Sequence, residues 1–265
     1  MKPIDLLTND VILSAIRNDK NCEVELLSWK TKNFTKIGDN YASFVTSIEA
    51  EISINGIKDE VYYIAKLNPC RTSECWNVFN NHAFKQEIEF LTQIKPMLSS
   101  FIKSNEKLAF PKCYYSSTEK DKELIITEDL RKKGFKMVSK KSCLDYAHAS
   151  LVMNELAKFH ASGYLLSKKH SVDDIFKMFP ILSQNNLLNN SLEEFIEMLR
   201  KVIEDQADLS IKLLEFFPGY EKVISWIQIN KKNLLNILQN QIKITNSCFD
   251  IITHGDCWNN NLLFR

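Results

Sequence analysis

The sequence lacks an excess of charge of either sign, so no global basic field marks it as a nucleic-acid binder, while local patches of charge remain open. Its 265 residues include 34 Lys and Arg against 33 Asp and Glu, with no long block of one sign. Proteins that hold nucleic acid need a basic field to neutralise phosphate groups. We therefore predict that the protein has no nucleic-acid partner.

Paired cysteines and long apolar runs are also missing. The seven cysteines are scattered, none forms a Cys-x-x-Cys motif, and no two histidines have zinc-finger spacing, so we interpret the cysteines as reduced thiols. The sequence has no run of about 18 apolar residues, which a membrane span requires, and its first residues lack the apolar core of a signal peptide. These absences predict a cytoplasmic protein that does not enter a membrane.

The first half of the chain has the alternating pattern of antiparallel strands. From Val24 to Lys66, apolar and polar residues alternate, so that one face of each strand would be buried. Asn55-Gly56 is a strong signal for a two-residue hairpin turn. The remaining predicted elements are a turn at 37–43, a helix containing Phe84, Ile88 and Leu91 that ends or kinks at Pro96, and strands at 112–115 and 123–127.

The second half of the chain has mostly helical periodicity. It follows a polar segment, 128–134, that we predict to be a hinge. Helix start signals of the Ser-x-x-Asp/Glu type occur at Ser142, Ser171 and Ser191, and a long helix is predicted from about Tyr220 to Ile242. The predicted fold is α+β, with an antiparallel-sheet lobe at 1–127, the hinge, and an incomplete helical lobe at 135–265.

Residues 254–261, here called the Asp-Asn loop, carry the strongest chemical signal. An apolar run leads to Asp256, Asn261 follows five positions later, and a second apolar run follows, so we predict a strand, a loop and a strand. In phosphoryl-transfer sites such a loop holds a carboxylate against a substrate hydroxyl while an amide oxygen reaches Mg²⁺. The alternative is that His254 and Asp256 only cap a turn. A second magnesium ligand on a following strand would fall beyond Arg265.

The candidate nucleotide-binding residues lie upstream in the order that a protein-kinase-like, two-lobed fold requires. Lys66 could neutralise phosphate charge while Glu87 holds it by an ion pair, although each could equally be an ordinary surface residue. The turn containing Asn40 and Ser43 would cover the phosphates, but its single glycine makes the motif weak. Backbone groups of Glu128 and Leu130 would bind the adenine edge, so that their side chains need not matter.

His160 is a further histidine with two possible roles. It lies in a predicted helix, where it could bond the Asp-Asn loop from a buried position or act as a catalytic base. Because Asp256 already fills the role of base, we predict the structural role.

Seven short motifs together resemble the ecdysteroid kinase-like family, which is also called CHK kinase-like and is related to choline and aminoglycoside phosphotransferases. They are Gly38-Asp39-Asn40-Tyr41, Lys66-Leu67-Asn68-Pro69, Phe84…Glu87…Phe90-Leu91, Phe110-Pro111-Lys112-Cys113-Tyr114, Glu128-Asp129-Leu130, Leu156-Ala157-Lys158-Phe159-His160-Ala161 and His254-Gly255-Asp256…Asn260-Asn261. The resemblance implies ATP-dependent phosphorylation of a hydroxyl group on a small molecule, such as an ecdysteroid or a xenobiotic alcohol, with ATP and Mg²⁺ as cofactors.

The resemblance also leaves alternatives open. Similar proteins have an Asp-Phe-Gln segment after the Asn, and its absence here implies either a C-terminally truncated chain or a degenerate member of the family. The rival functions are a non-catalytic module that binds nucleotide or ligand, an inactive fragment, and a helical adaptor. We expect a monomer whose partner is a small-molecule hydroxyl substrate.

Overall fold

An antiparallel sheet of five strands forms the first half of the protein. The structure is a computed structural model that describes residues 2–32, 43–71, 74–103, 106–139, 143–184, 193–241 and 251–265. The strands have the order β1-β2-β3-β5-β4. Their bounds are β1 (Glu25–Lys32), β2 (Phe44–Ile54), β3 (Ile57–Leu67), β4 (Cys113–Ser117) and β5 (Leu124–Glu128). Together with the helices that follow, they confirm the predicted α+β class.

The hairpin between β2 and β3 has the predicted turn. Asn55 and Gly56 have φ values of 52° and 81°, and Ile54 pairs with Ile57 on either side of them. Positive φ at both central residues is the requirement of a type I′ turn, which Asn-Gly meets at low cost. This turn sets the register that places Val45 opposite Lys66 at the other end of the hairpin.

Helices cover both faces of the sheet. Helix α1 (Asn9–Lys20) buries Ile12 and Ile16 against one face, in a cluster with inward side chains of β2 and β3. Helix α2 (Glu74–Glu89) packs Phe84 and Ile88 against Ile125 on the other face. The alternation of β strands explains this division, because neighbouring residues of one strand point to opposite faces.

Helix α2 continues through Pro96, where the sequence predicted an end or a kink. A π-helical turn, Phe90–Ile94, leads directly into α3 (Lys95–Ser99). Proline cannot donate a helical hydrogen bond and its ring would clash with the carbonyl four residues back. In the wider turn, the Lys95 N–H donates to the Phe90 carbonyl five residues back, and the helix passes Pro96 without ending.

The second half of the described chain is helical, as predicted. A core cluster joins α3 to the first two of these helices through Leu98, Phe159, Leu166 and Ile175. The helices are α4 (Tyr146–Lys169), α5 (Val172–Met178), α6 (Glu193–Leu214), α7 (Glu221–Asn230) and α8 (Leu234–Gln241). No helix of the described residues has the length and apolar character needed to cross a membrane.

The predicted helix starts are confirmed in one case and corrected in another. Ser171 caps α5 and exchanges hydrogen bonds with Asp174, as the motif predicts. Asp145, in contrast, is itself the cap of α4 and accepts from the His148 N–H at 2.8 Å, so this helix begins later than the motif at Ser142 indicates. Ser142 and Ser191 lie outside the described residues.

Two further predictions are wrong in detail. The predicted helix from Tyr220 to Ile242 is interrupted by a 3-10 turn at Lys231–Asn233, where Lys231 forms an ion pair of 2.5 Å with Asp208 of α6. The predicted strands around the Asp-Asn loop do not form within residues 251–265. Their backbone pairing is limited to one bridge between Phe264 and Lys136, and residues Asn259–Asn261 between them form a 3-10 turn.

The cysteines agree with their interpretation as thiols. Five of the seven are characterised in the structure, and all five are free.

Candidate active site

A lysine at the end of a strand and a glutamate on a helix form an ion pair across one face of the sheet. Lys66 is the penultimate residue of β3 and pairs with Val45 on one side and Ile125 on the other. Its Nζ donates a hydrogen bond to Glu87 Oε2 of α2. The side chains are 34% and 37% exposed, which leaves the ammonium accessible to an anionic ligand.

Phe84 supports the ammonium from the same helix. Its ring is 1% exposed, and its centroid lies 5.9 Å from Lys66 Nζ. Phe84 and Glu87 are three residues apart, so both are on the helix face that meets the sheet. The aromatic face attracts the cation, while the Glu87 carboxylate fixes its position.

The predicted phosphate-covering turn is described only at its end. Asn40 lies outside the described residues. Ser43 is buried and stands two residues before Val45, which pairs with Lys66. Ser43 therefore lies at the same end of the sheet as the ammonium, and its role as a phosphate donor stays a prediction.

The predicted hinge is a single tight turn. Residues Leu130–Lys133 form one 3-10 turn, which ends at Gly134 with a φ of +86°. The Leu130 carbonyl accepts from the Phe135 N–H at 3.2 Å, whereas the Leu130 N–H makes no hydrogen bond to any described residue. One backbone donor of this turn is therefore available to the edge of a base.

The Glu128 side chain makes contacts of its own within the protein, in addition to the backbone role in adenine binding, which stays a prediction. It is 10% exposed, and its two oxygens accept from the Lys112 N–H and from the Lys133 ammonium. No local pattern indicated these contacts, because Lys112 approaches only after β4 and β5 have paired.

The Asp-Asn loop is closed by contacts between its two named residues. Asn261 Nδ2 donates to Asp256 Oδ2 and to the Asp256 carbonyl, both at 2.8 Å. The Asp256 N–H donates to His254 Nδ1 at 3.2 Å, which assigns the ring proton of neutral His254 to Nε2. Asp256 is exposed, so its carboxylate is oriented by Asn261 and still open to a substrate.

The segment that carries this loop is anchored at both ends. Before the loop, Ile252 packs against Gly163 of α4, where a Cβ added to the glycine would lie 3.4 Å from the Ile252 nitrogen. After the loop, Phe264 and Lys136 exchange two backbone hydrogen bonds of 2.8 Å. The second anchor follows the hinge by two residues, so the Asp-Asn loop is tied directly to the chain that leaves the hinge.

Aromatic rings connect the loop with the helix that holds Glu87. The rings of Phe90, Phe110 and Phe159 pack edge to face, with centroids 4.7 to 5.8 Å apart. His254 stacks on Phe110 at 6.1 Å, and Phe90 also packs on the cluster that contains Phe84. These contacts form a continuous packed route from the floor of the Lys66 site to the Asp-Asn loop.

His160 does not take the predicted position. It is half-buried, and its ring lies against Phe159 at a centroid distance of 5.6 Å. In the described ranges it makes no hydrogen bond to the Asp-Asn loop. His254, which the sequence offered only as a turn cap, makes the contact with Asp256 instead.

The oxygen donors near Asp256 suit a hard cation that is bound mainly through a nucleotide. Asn261 uses its amide nitrogen on Asp256, which leaves Asn261 Oδ1 as a neutral oxygen ligand. No group of three or more His, Cys, Asp or Glu within the described part of the chain could hold a metal by itself. Mg²⁺ in nucleotide sites takes one or two protein ligands and obtains the others from phosphates and water. Asn261 fits such a role.

Comparisons with known proteins agree with this arrangement at the family level. The model of the ecdysteroid kinase-like family matches residues 37–265, which include all the candidate site residues. Neither the search of curated proteins nor the search of solved structures found a match. The match confirms the resemblance seen in the motifs. The chain therefore belongs to the ecdysteroid kinase-like family, a family of kinase-like phosphotransferases that act on small molecules.

Proposed function

We propose that the protein is an ATP-dependent kinase that phosphorylates a hydroxyl group of a small molecule, such as an ecdysteroid-like or xenobiotic alcohol. The observation that carries the proposal is the pair of preformed sites: the Lys66–Glu87 ion pair on the sheet and the Asp256–Asn261 contact in the loop. Membership of the family supports the same reaction class.

The proposed reaction begins with the substrate hydroxyl against Asp256. The hydroxyl oxygen attacks the γ-phosphorus of ATP, the bond from that phosphorus to the β–γ bridging oxygen breaks, and ADP leaves. Asp256 accepts the hydroxyl proton. Because Asn261 holds Oδ2, the proposal assigns this proton to Oδ1, the oxygen to which no Asn261 hydrogen bond is directed.

The other residues act by position and charge. Lys66 neutralises phosphate charge, and Glu87 prevents its flexible side chain from leaving the site. The Leu130 N–H and the Glu128 carbonyl bind the edge of adenine, while Asn40 and Ser43 cover the phosphates. Asn261 is the residue that would hold Mg²⁺, and the ion would offset the negative charge that develops on the phosphates.

The experiment is phosphate transfer from γ-labelled ATP to a panel of steroid and plant-type alcohols in the presence of Mg²⁺. We expect a labelled product with at least one alcohol. Asp256→Asn should lower kcat by about 10²- to 10⁴-fold, through loss of the general base, and leave ATP binding intact. Asp173→Asn is the matched control, because it changes an exposed carboxylate of α5 in the same way, and it should keep the wild-type rate.

Two outcomes would contradict the proposal. Wild-type protein that binds ATP but labels none of the alcohols would support the non-catalytic binding module instead. Transfer that survives in Asp256→Asn within about tenfold of wild type would remove Asp256 from the role of general base.

A further inference from the structure

The hinge contains a carboxylate that faces the protein and not the cleft. Glu128 is the last residue of β5, and its side chain is 10% exposed. Oε1 accepts from the Lys112 N–H at 2.8 Å, while Oε2 binds the Lys133 ammonium. Both oxygens therefore accept from groups of the protein itself.

These contacts join three parts of the chain at one point. Lys112 immediately precedes β4, Glu128 ends the neighbouring strand β5, and Lys133 closes the 3-10 turn of the hinge. The backbone adds to the link, because the Glu128 N–H donates to the Lys112 carbonyl at 3.0 Å. Glu128 at the start of the hinge is thereby fixed to Lys112 beside β4, and Lys133 at the end of the 3-10 turn is fixed to Glu128.

The ion pair has a direct effect on the backbone donor of the hinge. Leu130 lies two residues after Glu128 and three before Lys133, inside the loop that the ion pair closes. Asp129 uses its own carboxylate on Arg131, with contacts of 2.8 and 2.6 Å, and so does not replace Glu128. The Leu130 N–H therefore lies in a turn that is held by the ion pair between Glu128 and Lys133 and by the Asp129 cap on the Arg131 N–H.

We propose that Glu128 is a positioning residue for base recognition: its carboxylate, held by Lys112 and Lys133, sets the angle at which the Leu130 N–H meets the base of the nucleotide. The inference rests on the proposed function and adds a residue whose side chain never touches the nucleotide. The Glu128 carboxylate is 10% exposed while the Lys133 side chain is 53% exposed, and charge-assisted contacts to such a carboxylate fix a loop more firmly than neutral ones.

The test compares Glu128→Gln and Lys133→Met with wild type in the phosphate-transfer assay. Gln can still accept from the Lys112 N–H, but it loses the charge that holds Lys133, and Lys133→Met removes the same ion pair from the other side. Each variant should raise the KM for ATP by about tenfold and change kcat by less than about twofold, since the contact affects binding and not chemistry. The double variant should be no worse than either single one.

The choice of nucleotide distinguishes a role of Glu128 in base recognition from a role in folding alone. ITP lacks the exocyclic amine of ATP and carries a proton on N1, so it cannot accept from the Leu130 N–H at that nitrogen. The preference of wild type for ATP over ITP should shrink in both variants, while the affinity for inorganic tripolyphosphate, which has no base, should not change. Lys122→Met is the control, because it breaks the exposed ion pair with Glu119 in the turn between β4 and β5. This variant should keep the wild-type preference for ATP over ITP and the wild-type affinity for tripolyphosphate.

Three results would overturn the inference. The first is a wild-type KM and a wild-type preference for ATP in Glu128→Gln and Lys133→Met. The second is a lower melting temperature in these variants with both quantities unchanged, which would make the ion pair purely structural. The third is wild-type protein that binds neither ATP nor tripolyphosphate, and in that case the proposed function falls as well.

Discussion

Two buried asparagines show how one residue type can have opposite effects on stability. Asn68 and Asn80 are 1% and 0% exposed. Asn68 Nδ2 donates to the fully buried Glu123 carboxylate at 2.7 Å, and its Oδ1 accepts from the Cys70 N–H at 2.7 Å. Both amide atoms of Asn80, in contrast, are buried without a partner among the described residues. A buried polar group costs free energy unless it is hydrogen-bonded.

The two alanine variants should therefore change the free energy of unfolding in opposite directions. Asn68→Ala should lower the free energy of unfolding by about 3 kcal/mol, since a buried carboxylate loses a donor. Asn80→Ala should raise it by about 1 kcal/mol, because two unpaired atoms disappear and alanine favours the helix. Urea denaturation of both variants measures the difference. A larger loss in Asn80→Ala than in Asn68→Ala would mean that Asn80 has a bonding role.

His82 predicts how stability changes at mildly acidic pH. Burial lowers the pKa of His82 more than its hydrogen bond with the Gln184 backbone raises it, and the nearby Lys85 ammonium lowers it further. Its Nε2 has no partner in the described part of the chain. A group with a depressed pKa in the folded state stabilises the fold above its unfolded pKa, about 6.5 for histidine. That contribution is lost as the pH falls from there toward the folded pKa.

The melting temperature of wild type should therefore fall more steeply between pH 7.5 and pH 5.5, roughly one unit either side of the histidine pKa, than that of His82→Gln. His170→Gln, which leaves His82 in place, is the control and should keep the wild-type dependence. Identical slopes in wild type and His82→Gln would exclude His82 as the cause.

At the scale of elements, the position of the Asp-Asn loop depends on how closely α4 approaches it. At Gly163 an added Cβ would already be in van der Waals contact, 3.4 Å from the Ile252 nitrogen and 3.8 Å from the Ile252 side chain, so there is no room for a longer side chain. Ile252 is two residues before His254, so a larger side chain at 163 would push on the start of the loop.

Gly163→Leu should therefore lower kcat at least tenfold, while the KM for ATP changes little. A displacement of about 1 Å at a reacting group can cost about 10²-fold in rate. Gly163→Ala should stay within about threefold of wild type, because its one added methyl group makes close but tolerable contact and favours the helix. A wild-type kcat in Gly163→Leu would show that the loop is not positioned through Ile252.

Elements that are determined by side chains close together in the sequence could be predicted from the sequence alone. The alternation of β2, the Asn55-Gly56 turn and the Ser171 cap follow from side chains within a few residues of each other, and all were predicted. The break of the helix after Asn230 was missed, and at this point Lys231 reaches Asp208 of another helix, a contact that neighbouring residues do not indicate. The strand expected before His254 is not found in the described residues 251–253, since an apolar run alone does not supply a pairing strand.

In the whole molecule, too, the sequence indicates contacts within one structural unit but not contacts between units. Spacing along the chain was enough to predict the Lys66–Glu87 ion pair and to place Asp256 and Asn261 in one loop, but it did not indicate the hydrogen bond between Asn261 and Asp256. It could not show that His254 would stack on Phe110, or that Glu128 would reach Lys112, because those neighbours meet only after the sheet and the helices have packed. The motif around Phe110 was the one available signal for the first of these contacts.

The central claim is that Lys66 and Asp256 act on one nucleotide, and paramagnetic relaxation measures this directly. The backbone amide signals of isotope-labelled protein would be recorded with a non-hydrolysable ATP analogue and Mn²⁺, with Mg²⁺ as the diamagnetic reference. The proposed site predicts that Mn²⁺ broadens the signals of both Lys66 and Asp256. Broadening of one signal without the other would contradict it, because the two residues would then not share a nucleotide.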